Sequence, residues 1–228
     1  MINIDAAEVA KFSNLADVWW DLDGPAATLH QINPARMQYI TQKIALSGKQ
    51  VLDVGCGAGI LTEQLALQGA RVTAIDASQE LIAAATAHAS CSLDITYSHG
   101  TLENWPEQKY DCITCLELIE HVPEPENLLA ELAKRLAPEG KLFISTINKT
   151  AQAFLAAIVA GEYILKLLPK NTHSWEKFIA PHDLELMANT HGLAISNMQG
   201  IFYNPLTKDA KLTPNVSVNY ICCLEHLY

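Results

Sequence analysis

The chain has 228 residues, half of them hydrophobic, and a formal net charge of −10 at pH 7, which predicts one globular domain with a substantial core. No basic run is present, which argues against a nucleic-acid partner, because phosphate binding needs clustered lysine and arginine. The sequence shows no signal peptide and no apolar run of about 20 residues, and its six cysteines lack disulfide-framework or zinc-site spacing, so we expect a cytoplasmic protein with reduced thiols.

Two helices are predicted before the first strand, and together they would form an N-terminal helical cap over residues 1–48. Residues 5–20 have the amphipathic pattern of one helix. Asn33-Pro34 is expected to open the second helix, because proline fits the first helical turn. That helix would carry Arg36 toward the first strand.

A glycine-rich turn follows that strand in the stretch Lys49–Ile60, KQVLDVGCGAGI. Strands buried in parallel sheets are apolar on both faces, so residues 51–54 are predicted to form such a strand. Glycine accepts a positive φ and lets a ligand approach the backbone, and the N–H groups of the helix after the turn would point at that ligand.

The spacing of the turn indicates which cofactor it binds. Dinucleotide-binding folds use G-x-G-x-x-G, whereas this turn has G-x-G-x-G after Asp53, whose negative charge favours a positively charged cofactor. The pattern D-V-G-C-G-A-G resembles motif I of class I S-adenosylmethionine-dependent methyltransferases. The residues predicted to bind S-adenosylmethionine here are Asp53, Gly55, Cys56, Gly57 and Gly59.

Beyond the turn, strands alternate with helices, which predicts a Rossmann-like, doubly wound α/β fold with a mostly parallel sheet of seven strands. The later parallel strands are predicted at 71–76, 95–97, 110–116 and 140–146, with helices at 79–89 and 126–137 and a turn at 138–140. Two last strands, near Ala194–Phe202 and Val218–Cys223, follow each other directly and indicate an antiparallel edge hairpin.

Two further segments are predicted to contact the cofactor. Asp76 ends the second strand, where such folds hold ribose hydroxyls through hydrogen bonds of roughly 1.5–3 kcal/mol. Ala77, directly after Asp76, is predicted to contact the cofactor as well. Asp76 could alternatively cap the helix predicted at 79–89. The connection after the third strand, which includes Leu102 and Glu103, is expected to cover the adenine.

Glu117, Glu120 and His121 follow the fourth strand and are the predicted catalytic residues. If a helix begins here, the three lie at i, i+3 and i+4 and share one face, at the edge of the sheet where such folds bind ligands. Two carboxylates and an imidazole suit a divalent ion such as Mg²⁺. A metal-free acid–base pair with His121 as the base, or a structural role, are the alternatives.

An apolar insert is predicted over residues 148–181, interrupted by Glu162. It could lie in a membrane interface or cover a lipid-like substrate, or it could be an ordinary buried helix. His173 within it could reach the site or lie on the surface.

From about Glu8 to Tyr220 the chain resembles the ubiquinone-biosynthesis O-methyltransferases, both bacterial and mitochondrial. The resemblance rests on KFSNLADVWWDLDG, HQINPARMQYI, LDVGCGAGIL, CLELIEHVPEPE, AGEYILKLLPKNTHSWEKFIAP and FYNPLTKDAKLTPNVSVNY. It implies that Arg36 and Leu116 join Gly55 and Asp76 as cofactor contacts. It also matches Glu117, Glu120 and His121 to the metal triad of the mitochondrial members. Ala58 departs from the glycine found in many relatives.

The resemblance implies one class I methyltransferase domain over residues 1–228 that methylates ring hydroxyls of polyprenylated phenols and quinols at two steps. The isoprenoid tail gives the apolar insert a function, with a transient membrane surface or other ubiquinone-biosynthesis proteins as partners. The short N-terminus indicates a bacterial cytoplasmic enzyme, either free or peripheral on the inner face of the cytoplasmic membrane. An NAD-dependent oxidoreductase and a non-catalytic lipid-binding protein are the competing hypotheses.

Overall fold

The structure, a computed structural model, describes residues 3–153 and 175–227, and its centre is one eight-stranded sheet. The strands are β1 (Gln50–Val54), β2 (Arg71–Asp76), β3 (Ile95–His99), β4 (Tyr110–Leu116), β5 (Leu136–Ile147), β6 (Leu193–Asn204), β7 (Asp209–Thr213) and β8 (Asn219–His226). Their order across the sheet is β3-β2-β1-β4-β5-β8-β6-β7. Most of the apolar insert, residues 154–174, lies outside the described residues, and so does His173.

The strand directions confirm a doubly wound, mostly parallel sheet with an antiparallel end. β1 through β5 are mutually parallel, and β8 is antiparallel to both β5 and β6. β6 therefore runs in the same direction as β5, and the ends of β1, β2, β4, β5 and β6 meet at one edge, which we call the carboxyl edge.

The sheet has one strand more than the seven that the sequence predicts. β7 is a half-exposed strand of five residues, so its short pattern is weak, and it pairs antiparallel with β6 at the outer edge. The predicted hairpin partner β8 lies inside the sheet instead. The residues of the turn expected at 138–140 lie within β5, which begins at Leu136, and they coincide with a register shift against β4.

Seven helices flank the described sheet: α1 (Ala6–Ser13), α2 (Ala27–Thr41), α3 (Ile60–Leu67), α4 (Gln79–His88), α5 (Pro125–Arg135), α6 (Ala151–Ala153) and α7 (Pro181–Thr190). Short 3₁₀ turns occur at Ala16–Val18, Leu102–Asn104, Ile119–His121 and Trp175–Lys177. Among the described residues, no helix is long and apolar enough to cross a membrane.

The predicted bounds of both N-terminal helices are wrong. The helix expected over 5–20 ends at Ser13 and is followed by a separate 3₁₀ turn. α2 begins at Ala27, so Pro34 lies in its interior rather than in its first turn. Packing explains this second difference, because α2 buries Tyr39 and Ile40 completely, and tertiary burial outweighs the local cost of proline.

The core forms two layers, one on each face of the sheet. Leu52 and Val54 of β1 belong to the layer that includes α5 and α7, whereas Val51 packs with Tyr39 of α2 and Leu65 of α3. All three β1 side chains are almost fully buried, as expected for a central parallel strand. The six cysteines are free thiols, and all except Cys91 are buried.

Candidate active site

A cavity of about 290 Å³ lies at the carboxyl edge, where β1, β2 and β4 end beneath α1 and the segment that follows it. The predicted cofactor residues that line it are Arg36, Asp53, Gly55, Cys56, Gly57, Asp76, Ala77, Leu102, Glu103 and Leu116. Of the predicted catalytic residues, Glu117 and His121 also line it, whereas Glu120 does not. The fold thus brings residues from distant parts of the sequence to one site.

The glycine turn needs residues without side chains at two positions that line the cavity. Gly55 and Gly57 have φ values of 70° and 56°, in the left-handed region that favours glycine. A Cβ on Gly57 would lie 2.7 Å from Cζ2 of Trp19, which covers the turn. The next residue, Trp20, donates a hydrogen bond from Nε1 to the carbonyl of Ala58 at 3.0 Å. The N-terminal segment therefore closes over the turn.

Gly59 is the one predicted cofactor residue that does not line the cavity. It has a φ of 92° and immediately precedes α3, and a Cβ there would collide with the hydroxyl of Tyr97. Its structural role is therefore to let the chain pass from the turn into α3. Ala58 is fully buried beside it, so the chain accommodates a methyl group at the position where many relatives have glycine.

Asp53 is held rigidly below the glycine turn. Its carboxylate accepts hydrogen bonds from the hydroxyls of Thr62 at 2.6 Å and Thr114 at 2.7 Å. Burial raises the pKa of Asp53 to about 6, although both hydroxyl groups favour the charged form. Sequence patterns did not indicate either threonine, because each stands in an apolar element where nothing local distinguishes it from a core residue.

Asp76 connects the end of β2 to the glycine turn. One carboxylate oxygen accepts the Gly57 N–H at 2.9 Å, and the other accepts the Ser78 N–H at 2.8 Å. Burial raises the pKa of Asp76, while these two backbone N–H groups lower it. The residue that caps α4 is Ser78, whose Oγ accepts the Leu81 N–H, so the alternative of Asp76 as the cap is wrong.

Glu117 lies against Arg36, which α2 carries to the cavity. Arg36 Nη2 is 3.1 Å from Glu117 Oε1, and the same oxygen accepts a hydrogen bond from Ser145 Oγ at 2.6 Å. Arg36 is 6% exposed, so its guanidinium group is shielded from water, whereas the Glu117 side chain is 28% exposed. Glu117 lies where it can orient the guanidinium group.

The α-helix expected to begin at Glu117 does not form. Glu117 has a positive φ of 53°, and only residues Ile119–His121 form a single 3₁₀ turn. Val122 is extended and precedes Pro123, and a residue before proline avoids the helical region. Glu117, Glu120 and His121 therefore do not share one helical face.

The three side chains also differ in their hydrogen-bond partners. Glu120 is 3% exposed, and neither of its carboxylate oxygens has a hydrogen-bond partner. Burial, followed by the nearby charge of Glu117, raises the pKa of Glu120 well above its usual value. Within residues 3–153 and 175–227, no three His, Cys, Asp or Glu side chains form a group that could hold a metal ion. The arrangement does not fit an Mg²⁺ ion held by Glu117, Glu120 and His121.

His121 is instead paired with Glu8 of α1. Its Nδ1 lies 3.1 Å from Glu8 Oε2, and the ring of Phe12 meets the imidazole edge-on at 5.1 Å. Glu8 also pairs with Lys11 at 3.1 Å and with Lys177 at 3.2 Å. Nothing in the sequence singled out Glu8, since an acid on the polar side of an amphipathic helix is normally solvated.

Comparisons with known proteins identify the class of protein. A family model described as a methyltransferase domain matches residues 29–197. The solved magnesium protoporphyrin IX methyltransferase of Synechocystis PCC 6803, with bound SAH, has a TM-score of 0.71 at 19% identity, over 94% of each chain. The fold and the cavity therefore define a class I S-adenosylmethionine-dependent methyltransferase.

Closer relatives specify the family. A Coxiella burnetii protein named ubiquinone biosynthesis O-methyltransferase is 47% identical over 98% of this chain and 97% of its own length. A Pseudomonas savastanoi protein of the same name is 45% identical over 97% of both chains. The chain belongs to the ubiquinone biosynthesis O-methyltransferase family. This finding confirms the resemblance and leaves the NAD-dependent oxidoreductase without support.

Proposed function

We propose that this protein methylates ring hydroxyls of polyprenylated phenol and quinol intermediates, at both O-methylation steps of ubiquinone biosynthesis. The observation that carries the proposal is the cavity at the carboxyl edge, where all the predicted cofactor residues except Gly59 lie beside His121. S-adenosylmethionine supplies an electrophilic methyl group on a sulfonium, and a phenolate is a suitable nucleophile for it.

The residues around the cavity suit the parts of this cofactor. Asp76 can accept hydrogen bonds from ribose hydroxyls, and Leu102 and Glu103 would flank the adenine. Oε2 of Glu103 is buried without a hydrogen-bond partner, and the adenine amino group could satisfy it. Arg36 would bind the carboxylate of the methionine part, with the guanidinium oriented by Glu117.

His121 is the proposed general base for the acceptor. Ionising a phenol with a pKa of about 10 at pH 7 costs roughly 4 kcal/mol. A base that takes this proton therefore lowers the barrier to methyl transfer. Glu8, 3.1 Å from Nδ1, would orient the ring and favour the imidazolium that forms on proton transfer. Glu117 would then orient Arg36, and Glu120 would be a buried side chain of the core.

The isoprenoid tail of such substrates resides in lipid, so we also propose that the protein works at the inner face of the cytoplasmic membrane. The apolar sequence of residues 148–181 supports such a contact. The N-terminal elements α1 and α2 act as the cap of the cofactor site, within one domain.

The experiment measures methyl transfer from labelled S-adenosylmethionine to a short-tailed 2-prenyl-6-hydroxyphenol, with and without a chelator. The wild type should transfer methyl groups in both conditions, and His121→Gln should lose at least about a hundredfold in rate. His182→Gln, at an exposed histidine on α7, is the matched control and should keep full activity. Absence of transfer despite cofactor binding would contradict the proposed substrate. Loss on chelation with recovery in Mg²⁺ would overturn the metal-free base.

A further inference from the structure

We propose that Arg135, which lies outside the cavity, is a positioning residue for the part of the chain that binds the adenosine half of the cofactor. That part is the connection between β3 and β4, residues 100–109, and we call it the adenosine loop. The inference rests on the proposed function in one respect, because it takes Leu102 and Glu103 as the contacts of the adenine.

The adenosine loop has little regular structure of its own. Residues 100–103 line the cavity, whereas residues 104–109 do not. The loop contains a single 3₁₀ turn, Leu102–Asn104. Such a turn has poor hydrogen-bond geometry and is too short to be stable by itself. Contacts with other parts of the chain must therefore hold the adenosine loop in place.

Arg135, the last residue of α5, binds three carbonyl groups of the adenosine loop. Its Nη2 donates hydrogen bonds to the carbonyls of Leu102, at 2.8 Å, and Trp105, and its Nε donates to the carbonyl of Pro106 at 3.3 Å. The carbonyl of Leu102 and the N–H of Glu103 belong to one planar peptide unit, so the bond to Leu102 also orients the backbone of Glu103. Arg135 thereby acts on the cavity through the loop.

The buried guanidinium group of Arg135 is fully used. Arg135 is 1% exposed, and its Nη1 donates to the carbonyl of Glu131 at 2.9 Å and to its carboxylate at 2.7 Å. Together with the three loop carbonyls, these acceptors give all five N–H groups of the guanidinium a partner. A lysine has three donors on one nitrogen and lacks this planar arrangement, so it cannot replace the arginine here.

Two further contacts hold the later part of the adenosine loop. Trp105 Nε1 donates a hydrogen bond to the hydroxyl of Tyr110 at 3.1 Å, and Lys109 Nζ donates to the carbonyl of Lys134 at 2.8 Å. Both contacts lie beyond the residues that line the cavity, whereas Arg135 reaches Leu102 among them. Loss of the guanidinium should therefore loosen the cavity end of the loop first.

Calorimetric titration of the full chain with two ligands tests the proposal. S-adenosylhomocysteine has both halves of the cofactor, whereas 5′-methylthioadenosine keeps the adenosine half and lacks the amino-acid half. Arg135→Lys retains a cation beside Glu131 and should weaken both ligands by the same factor, roughly tenfold. Arg36→Lys, at the methionine end, should weaken S-adenosylhomocysteine alone. Unchanged affinity for 5′-methylthioadenosine in Arg135→Lys would overturn the proposal.

A control variant on the same guanidinium group separates positioning from general stability. Glu131→Gln removes the counter-charge but leaves the three loop carbonyls on Arg135, so it should lower the unfolding midpoint and keep the affinity for S-adenosylhomocysteine within about twofold. If Glu131→Gln weakens the ligand as much as Arg135→Lys does, the effect is one of stability and the proposal is wrong.

Steady-state kinetics give a further readout that a purely structural role would not produce. Because the adenine lies away from the transferred methyl group, Arg135→Lys should raise the KM for S-adenosylmethionine about tenfold and leave kcat unchanged. A fall in kcat with an unchanged KM would contradict positioning of the adenosine loop.

Hydrogen exchange tests the inference separately from the proposed function. Without ligand, backbone amides of residues 101–106 should exchange faster in Arg135→Lys than in the wild type, while those of β1 and β4 should not change. Equal exchange over residues 101–106 would show that Arg135 does not hold the loop. If the wild type binds neither ligand, the assignment of the cavity to this cofactor is wrong, and the exchange measurement still decides the role of Arg135.

Discussion

His121 Nδ1 and Glu8 Oε2 are 3.1 Å apart, although 113 residues separate them in the sequence. The contact ties the first helix to the turn after β4, and both residues line the cavity. Burial opposes ionisation of Glu8, but Lys11, Lys177 and His121 keep the pKa of its carboxyl below its usual value. Glu8 is therefore an anion beside the imidazole of His121, where it favours the imidazolium form.

The variant Glu8→Gln tests whether Glu8 acts on His121 through its charge or only by orienting the imidazole ring. The amide keeps the shape but no longer favours the imidazolium, so we expect about a tenfold loss of methyl transfer. The acid limb of the pH–rate profile should also move to lower pH. The profile is measured with saturating cofactor, and Glu185→Gln, at an exposed acid on α7, is the control. An unchanged profile would contradict the role of Glu8.

Asp53 should make stability depend on pH. Burial raises its pKa from 3.8 to about 6, so ionisation is costlier in the folded chain than in the unfolded chain. Relative to Asp53→Asn, the wild type should lose unfolding free energy as the pH rises from about 4 to about 6, with no further change above. The rise in pKa corresponds to about 3 kcal/mol.

Denaturant titrations of both proteins across this pH range measure the effect. Asp94→Asn, at an exposed acid between α4 and β3, should show no such trend. If the difference in unfolding free energy between the wild type and Asp53→Asn stays constant with pH, the charge of Asp53 is not costly to bury and the prediction is wrong.

Gly57→Ala tests the contact between the glycine turn and Trp19. The left-handed φ costs alanine about 1–2 kcal/mol, and the new methyl group would press on the indole. Gly48→Ala is the matched control, because Gly48 has a φ of 73° but no atom within 4 Å of its Cβ position. Chemical denaturation should show a larger loss for Gly57→Ala, and calorimetry should show weaker cofactor binding only for that variant. Equal losses would mean that Trp19 moves freely aside.

The pair Arg36–Glu117 should show strong coupling in a double-mutant cycle. The side chains are 7% and 28% exposed, so removing one partner leaves a poorly hydrated charge. We expect a coupling of about 1–3 kcal/mol between Arg36→Met and Glu117→Gln, measured by denaturation. The exposed pair Arg71–Asp94, at 3.8 Å, should give less than about 1 kcal/mol in the same cycle.

Much of the fold follows from local patterns. The bounds of β2 and β4 match the prediction, because an apolar run followed by a polar or glycine-rich break defines a buried parallel strand. The glycine spacing and the position of Asp76 at the end of its strand are local features, and Gly55, Gly57 and Asp76 line the cavity as these patterns predict. Helix ends were less predictable, since Pro34 lies inside α2 only because tertiary packing tolerates it there.

The parts of the site that the sequence could not reveal depend on distant contacts. Thr114 reaches Asp53 across neighbouring strands, 61 residues away, and Lys177 reaches Glu8 across 169 residues. No local periodicity carries such information. The predicted grouping of Glu117, Glu120 and His121 on one helical face is wrong for a local reason. Their spacing suits an α-helix, but Pro123 prevents that helix from forming.

The indole of Trp19 lies over Gly57, and this contact has a consequence for the kinetics of the enzyme. A cofactor seated on the glycine turn would be enclosed by the N-terminal segment, which is fastened by the Trp20–Ala58 hydrogen bond and by Glu8. Exchange of the demethylated cofactor for a fresh molecule then requires this segment to swing outward and return. Each turnover would therefore include one opening and one closing of the N-terminal segment in addition to methyl transfer.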